Sequence, residues 1–421
     1  MNILVVGGGG REHAIIRKLK ESRRVSKIYA APGNGGISAD AECVNIKATD
    51  IDGMLSFAKE HQIDFAVVAP DDPLVLGMVD AFEAAGIPSF GPNRAAAIIE
   101  GSKVFSKDLM KKYGIPTAKY EVFDDPQKAI DYIRAEDSYP AVIKADGLAL
   151  GKGVIIAEDF AQAEAAVRSM MEDKIFGESG SHVVVEEFLT GPEVSVLAFT
   201  DSKVVRPMVS SKDHKRVFDG DKGLNTGGMG TIAPNPYYTQ EMADVCMKEI
   251  FLPTVEAMKK EGRPFKGCLY FGLMLTLKGP RVIEYNCRFG DPETQVVLPL
   301  LETDLLEIFE AVYEERLSEV DIKWKQGAAA CVIMASGGYP QKYPTGLVIE
   351  GLDDGGQVEG AVVYHAGTRR EGAAYLTAGG RVLGVTAVGN DREDALTKAY
   401  AAVGRIHFEG CHYRKDIGKI K

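Results

Sequence analysis

Short apolar runs alternate with amphipathic stretches through the first hundred residues. Residues 3–6, 27–31 and 65–69 read as buried strands, whereas 11–22, 52–60 and 73–85 carry helical spacing. That order predicts a parallel sheet flanked by helices, because parallel neighbours require crossover connections. After Gly91-Pro92 the pattern turns helix-rich up to Gly114-Ile115-Pro116, which marks a boundary. Residues 117–190 hold another small set of strands and helices, including Ala141-Val142-Ile143 and Val183-Val184-Val185. From 191 to about 320, strand-like segments at 194–199, 269–277 and 281–287 alternate with long helices near 239–260 and 303–316. Beyond Trp324 come several short strands, then a helix with Leu396, Ala399, Tyr400 and Val403 on one face and Asp391 able to cap its start. The expected architecture is multidomain, α/β with α+β. An N-terminal parallel-sheet, Rossmann-like domain spans 1–102, a central region spans 103–320 with an inserted lobe near 117–190, and a small α+β domain spans 325–421.

Composition narrows the class. A chain of 421 residues with 45% hydrophobic residues can bury a large core and should divide into two to four units. The balance of 49 Lys+Arg against 60 Asp+Glu leaves a net charge of -11, which disfavours non-specific binding to nucleic acid or anionic membrane. Phosphate binding must therefore come from individually placed cations. No apolar run approaches the ~20 residues of a membrane span, and Met1-Asn2-Ile3-Leu4-Val5-Val6 runs into glycines without a basic stretch or cleavage site, so a cytoplasmic protein is expected. The cysteines, among them Cys287, are scattered with no CxxC, which indicates neither a zinc knuckle nor a disulfide framework.

The first candidate chemistry is Gly7-Gly8-Gly9-Gly10, between a strand and a helix, where backbone N–H groups and the helix end can meet a phosphate. A dinucleotide fingerprint fails in both registers, because Glu12 or His13 stands where the third glycine belongs and no acid ends the next strand. A nicotinamide cofactor is thus disfavoured. A phosphate site shared with Gly33-Asn34-Gly35-Gly36, or a plain tight turn, remains.

Further on, Lys144 ends an apolar strand and leads into a glycine loop containing Gly147, Gly151, Lys152 and Gly153, which could cover phosphates or be an ordinary hairpin. It is not a Walker motif, since three residues separate Gly147 from Gly151 where four are needed. Lys103, in Gly101-Ser102-Lys103, is a second candidate phosphate cation. In Val183-Val184-Val185-Glu186-Glu187-Phe188-Leu189 an apolar strand turns acidic and then aromatic, which suits a sheet edge whose backbone bonds a base while Phe188 and Leu189 pack near its ring. Glu193 could accept from ribose hydroxyls. The same stretch also fits a strand with a charged, exposed end.

Glu284 and Asn286 alternate with Ile283 and Tyr285, so both should project from one face of a strand. Two oxygen ligands on a rigid face suit Mg²⁺, which completes its octahedron with water and phosphate oxygens. Arg288 follows with a planar fork for a carboxylate or phosphate, then the Gly290-Asp291-Pro292 turn. Upstream, the charged run Ser211 to Arg216 precedes a glycine-rich loop that could order around substrate. There Asp213 could bind an ammonium, and Asn225 a phosphate or metal-bound oxygen.

Taken together, these motifs resemble the glycinamide ribonucleotide synthetase (phosphoribosylamine–glycine ligase) family of the ATP-grasp superfamily. The run Arg288-Phe289-Gly290-Asp291-Pro292-Glu293-Thr294-Gln295 matches that family's signature, and the segments 7–14, 144–153, 186–193, 213–216 and 225–230 agree in order and spacing. The likeness covers essentially the whole chain. It implies a phosphoribosylamine-binding N-terminal domain, to which Gly8, Gly9, Gly10, Asn34 and Gly35 would contribute, a two-lobed ATP-grasp region, and a C-terminal domain. It also implies that Glu186, Glu187, Phe188 and Leu189 form the adenine hinge, that Glu193 holds ribose, and that Lys103, Lys144 and the Gly151 loop meet phosphates. Asn225 would lie near the triphosphate, and Glu284 and Asn286 would bind Mg²⁺ or Mn²⁺. Arg288 and Asp213, with Gly290 and Asp291, fall on the glycine and phosphoribosylamine side; Lys144, Arg288 and Asp213 are the expected catalytic residues.

One departure from the wider superfamily stands out. The preceding strand reads Leu269-Tyr270-Phe271-Gly272-Leu273-Met274, without the extra carboxylate common there, so a second metal would have fewer protein ligands. The expected activity is ATP-dependent ligation of glycine to 5-phosphoribosylamine, through glycyl phosphate, in purine biosynthesis. Small molecules are the expected partners, with no nucleic acid or membrane; the sequence leaves the oligomeric state open, with a monomer favoured. Competing readings are another ATP-grasp carboxylate–amine ligase, a nucleotide-sensing protein without turnover and, more distantly, a dehydrogenase.

Overall fold

The computed structural model describes residues 1–148 and 153–419. Its N-terminal part is a five-stranded parallel sheet in the order Glu42–Cys43, Lys27–Pro32, Asn2–Gly7, Phe65–Val68, Ser89–Phe90. The near-continuous burial of Ile3, Leu4, Val5 and Val6 follows from helices on both faces of such a sheet. The helical stretch expected at 73–85 is two helices, Asp71–Leu76 and Met78–Ala84, because Gly77 between them takes a left-handed φ of 94°.

The segment after residue 117 folds as a four-stranded antiparallel sheet, in the order Tyr120–Phe123, Val183–Glu187, Ala141–Ala145, Val154–Ala157. Two helices, Pro126–Glu136 and Phe160–Met171, pack on it and close a separate core around Ile130, Ile143, Val167 and Val183. The central region builds another four-stranded sheet whose middle is the long pair Glu193–Asp201 and Lys266–Thr276, with Gly279–Asn286 at one edge. This sheet and the N-terminal one share a hydrophobic core, in which Leu4 and Val68 join the same cluster as Val196, Phe271 and Val282. The helix near 239–260 is continuous but widens into a π turn at Met247–Phe251, just ahead of Pro253, whose ring cannot accept an ordinary α turn behind it.

The C-terminal segment does not close its sheet alone. Ala328–Ala335, Arg381–Gly389 and Val362–His365 are extended by Gly230–Ala233 and Lys212–Asp213 from the central region, giving one five-stranded sheet. The final helix, Arg392–Val403, is capped by Asp391, which accepts from the Asp394 N–H, and buries Ala395, Ala399, Ala402 and Val403. Among the described residues no helix is long and apolar enough to cross a membrane.

Candidate functional site

The site grows from the hairpin Lys266–Thr276 and Gly279–Asn286. Its register sets Glu284 opposite Gly272 and Asn286 opposite Tyr270, then slips by one residue so that Leu273 faces Val282 and Ile283 bulges out. Tyr285 points the other way, into the core, where its hydroxyl lies 2.9 Å from that of Thr254. Glu284 and Asn286 therefore do share the open face. Lys215 Nζ lies 3.4 Å from Glu284 Oε1, and Lys215, with Lys144 and Lys103 behind it, holds the Glu284 carboxyl down at about 2. An ionised carboxylate and an amide oxygen on one rigid strand fit a hard divalent cation. Gly272 supports the arrangement from across the hairpin, since a side chain there would press on Glu284 Cγ.

The signature run is anchored by Phe289, which is buried among Phe90, Phe199 and Phe309 at ring-centroid distances of 6.1, 5.9 and 6.2 Å. Arg288 beside it is not an open fork. Its Nη2 lies 2.8 Å from Glu100 Oε1, 3.1 Å from Asn286 Oδ1 and 3.8 Å from Asp71 Oδ2, while among the described residues its Nε is buried without a hydrogen-bond partner. Glu100 accepts in turn from the Cys287 N–H at 2.8 Å, so helix Arg94–Gly101 clamps the end of the strand Gly279–Asn286. The guanidinium thus orients Asn286 and has only part of its edge left for a substrate.

On the nucleotide side, Lys144 Nζ donates to Ile283 O at 3.1 Å and sits 2.9 Å from Glu186 Oε1. Lys103 Nζ donates to Gly147 O at 2.7 Å, and burial lowers its pKa. Gly151 and Lys152 lie outside the described residues. The expected sheet edge at Val183–Glu187 is in fact an interior strand, flanked by Tyr120–Phe123 and Ala141–Ala145, and the Glu187 N–H is engaged by Lys119 O at 3.0 Å. Phe188 and Leu189 follow the end of the strand, and Phe188 is exposed. The Glu186 side chain points inward to lysines. Glu193 is exposed at the start of its strand, 3.9 Å from Lys215 Nζ.

Asp213 pairs with Thr231 at the margin of the C-terminal sheet and accepts from the His214 N–H at 2.7 Å. Burial and the neighbouring Glu293 carboxylate push its pKa well above the usual range. Glu293, itself buried, accepts from the Tyr270 hydroxyl at 3.1 Å. Gly290 has no room for a side chain against Glu293, and Gly228 has none against Asp213. Asn225 is exposed in the hairpin strand Lys222–Asn225, opposite Arg216. Asp291 is held by Arg381 of the C-terminal segment, whose Nη1 donates to Asp291 O at 2.7 Å and Gly227 O at 2.6 Å. Burial would raise the Asp291 pKa, but Arg381 and Arg11 keep it below the ordinary value.

The N-terminal loop is more self-contained than its glycines suggest. The Gly9 N–H donates to Glu12 Oε2 at 2.6 Å, the residue that replaces a third glycine. Asn34 donates from Nδ2 to Gly8 O (2.9 Å) and His365 O (2.8 Å) and accepts at Oδ1 from the Gly36 and Ile37 N–H groups. Gly35 donates to Thr368 O at 3.0 Å, and Gly10 opens helix Gly10–Leu19 against Gln295. Glu100, Lys107, Lys215, Glu293 and Arg381 complete the site but carry no role in the sequence reading. Lys215 and Glu293 lie inside motifs singled out there, whereas nothing near Glu100, Lys107 or Arg381 signals contacts so distant in the chain.

Three family profiles match the chain: Phosphoribosylglycinamide synthetase N domain over residues 1–100, ATP-grasp (A) domain over 101–294 and C domain over 329–420. The chain is 51% identical over 417 residues to a phosphoribosylamine--glycine ligase of Caldanaerobacter subterraneus subsp. tengcongensis, covering 99% of each. It is 48% identical over 421 residues to the protein of that name from Clostridium acetobutylicum, covering 100% of each. A crystal structure of phosphoribosylamine--glycine ligase from Thermotoga maritima superposes with a TM-score of 0.86 at 32% identity, over 99% of this chain and 100% of that one. The biotin carboxylase domain of Hydrogenobacter thermophilus 2-oxoglutarate carboxylase, solved with MgADP, shares the fold at a TM-score of 0.75 and 17% identity, over 98% of this chain and 91% of that one.

Proposed function

The chain belongs to the phosphoribosylglycinamide synthetase family, and from that premise we propose that it ligates glycine to 5-phosphoribosylamine with ATP, giving glycinamide ribonucleotide, ADP and phosphate in purine biosynthesis. A glycine carboxylate oxygen attacks the γ-phosphorus of ATP, and the bond to the β-phosphate oxygen breaks to release ADP. The amine of phosphoribosylamine then attacks the acyl carbon of glycyl phosphate, phosphate departs and the nitrogen loses a proton. No protein nucleophile takes part.

The observation that carries this reading is the shared open face of Glu284 and Asn286, bordered by Lys215 at 3.4 Å and backed by Lys144 and Lys103. An ATP-grasp domain uses ATP with a divalent metal; Glu284 and Asn286 would hold Mg²⁺ or Mn²⁺, which offsets phosphate charge when bound. The chain's own residues supply the remaining order. Lys144 and Lys103 face the phosphates, Phe188 and Leu189 meet the adenine, and Glu193 meets the ribose. Asp213, acting with Glu293, receives the glycine ammonium, and Arg288 keeps Asn286 aimed while lending part of its edge to substrate. Residues 1–102 bind phosphoribosylamine, with Gly8 and Gly10 approaching its phosphate and Asn34 shaping the loop from behind. The catalysis is positioning and charge stabilisation, with water kept from the acyl phosphate. A cytoplasmic monomer completes the reading.

Phosphate release measured with ATP and both substrates, then with each omitted in turn, tests it. Turnover should require glycine; equal phosphate release without glycine would overturn the assignment.

A further inference from the structure

Helix Lys103–Tyr113 carries Lys107, which is only 2% exposed. A buried ammonium needs a strong reason to be there, since desolvation disfavours its charge. Its Nζ lies 3.0 Å from Glu186 Oε2 and donates to Thr117 Oγ1 at 2.7 Å. The Thr117 hydroxyl then donates to Val282 O at 2.7 Å. On the other side of the same carboxylate, Lys144 Nζ lies 2.9 Å from Glu186 Oε1 without hydrogen-bond alignment and gives its hydrogen bond to Ile283 O. Two cations thus share one carboxylate and reach, directly or through Thr117, the two consecutive carbonyls at the bulge that precedes Glu284.

Two ammonium groups lie within 3.0 Å of one carboxylate, and Lys144 acts on Glu284 as well. Both ammonium groups are enclosed, and they differ in where each gives its hydrogen bond: Lys107 to Thr117, away from the open face, and Lys144 to Ile283 O, next to Glu284. We propose that Lys107 is a positioning residue, the standing counter-ion of Glu186 that leaves Lys144 able to turn its charge toward the nucleotide phosphates. Without Lys107, Glu186 would have Lys144 as its sole cation and would compete with the triphosphate for it. This rests on the reading of Lys144 as a phosphate-facing residue.

The full-length Lys107→Met variant tests the assignment through calorimetric binding of a non-hydrolysable ATP analogue with Mg²⁺, alongside KM for ATP and for glycine. Analogue affinity should fall more than about fivefold and KM for ATP should rise in step, while KM for glycine stays within about twofold. Lys107→Arg should retain most of the affinity. A loss below fivefold in Lys107→Met, or an equal rise in both KM values, would overturn the proposal. If Lys107→Met does not fold, Lys107→Gln decides by the same fivefold limit. Failure of the unaltered protein to bind the analogue would instead refute the ATP reading itself.

Discussion

The strand Gly279–Asn286 and the N-terminal glycine loop both look, in sequence, like places where a phosphate settles, yet they handle their polar groups in opposite ways. Around Glu284 and Asn286 the side chains are charged and half-open, and Lys215, Lys144 and Lys103 crowd one carboxylate. In the loop, Glu12 takes the Gly9 N–H and Asn34 makes four hydrogen bonds to protein backbone. The first region keeps charged side chains beside an open face; the second has most of its bonding capacity committed to holding its own shape. A glycine-rich turn marks where a backbone can approach closely, while the partners of the neighbouring polar atoms decide whether anything is left to bind.

Three perturbations would sharpen or break this contrast. The largest effect is expected for Glu284→Ala, which removes one ligand from a half-open face and no core packing, because the side chain is 34% exposed. Turnover at saturating Mg²⁺ should drop by about a hundredfold or more, comparable to losing a principal electrostatic stabiliser, with the fold retained and the melting midpoint lowered, because Lys215, Lys144 and Lys103 lose a shared carboxylate. Near-parental turnover would remove Glu284 from the metal site. Next, Asn34→Ala should cost about 2–4 kcal/mol of stability, since it leaves partly buried backbone groups unpaired. Denaturant unfolding would report it, and a loss below about 0.5 kcal/mol would show that the loop does not depend on those bonds.

The smallest effect concerns acid. His13 Nδ1 accepts the His365 N–H at 2.8 Å while its Nε2 faces Asp40, Arg17 and Lys20 lie nearby, and His365 Nε2 faces Gly356 O. Burial lowers both histidines, His365 to about 3, so the folded protein keeps them neutral where the unfolded chain, titrating near 6.5, takes up protons. Their contribution is complete above pH 6.5 and declines as pH falls below it, by up to about 1.4 kcal/mol per pH unit for each histidine. Glu284, lowered from 4.5 to about 2, contributes above about 4.5 and loses that contribution only as pH falls toward 2. Between pH 7 and 5, hydrogen-exchange protection factors, which are corrected for the intrinsic rate at each pH, should therefore fall in Val362–His365 before Gly279–Asn286; the reverse order would contradict the assigned protonation states.

Local chemistry was legible in the sequence and long-range partnership was not. Glu284 and Asn286 were readable because strand periodicity fixes which side chains share a face, and a bulge at Ile283 leaves that pair intact. The strand at 183–187 was recognised, but its place inside the sheet depends on residues 120–123 pairing with it across more than fifty residues, which no local pattern encodes. Gly77 gave no warning that it would break a helix, because glycine within an amphipathic run is compatible with either outcome. Glu12 shows the reverse case. Its presence argued against a dinucleotide fingerprint, and the structure supplies the positive reason: its carboxylate occupies the N–H that the missing glycine would have left open.

The shared sheet of the C-terminal segment has a practical corollary. Lys212–Asp213 and Gly230–Ala233 draw their backbone partners, directly or in sequence, from Ala328–Ala335. A version of the protein shortened to end near residue 325 would strip those strands of a neighbour and bare a sticky edge beside Asp213. The last hundred residues thus support the strands that carry Asp213, and any hybrid that exchanges them must exchange their mating strands as well.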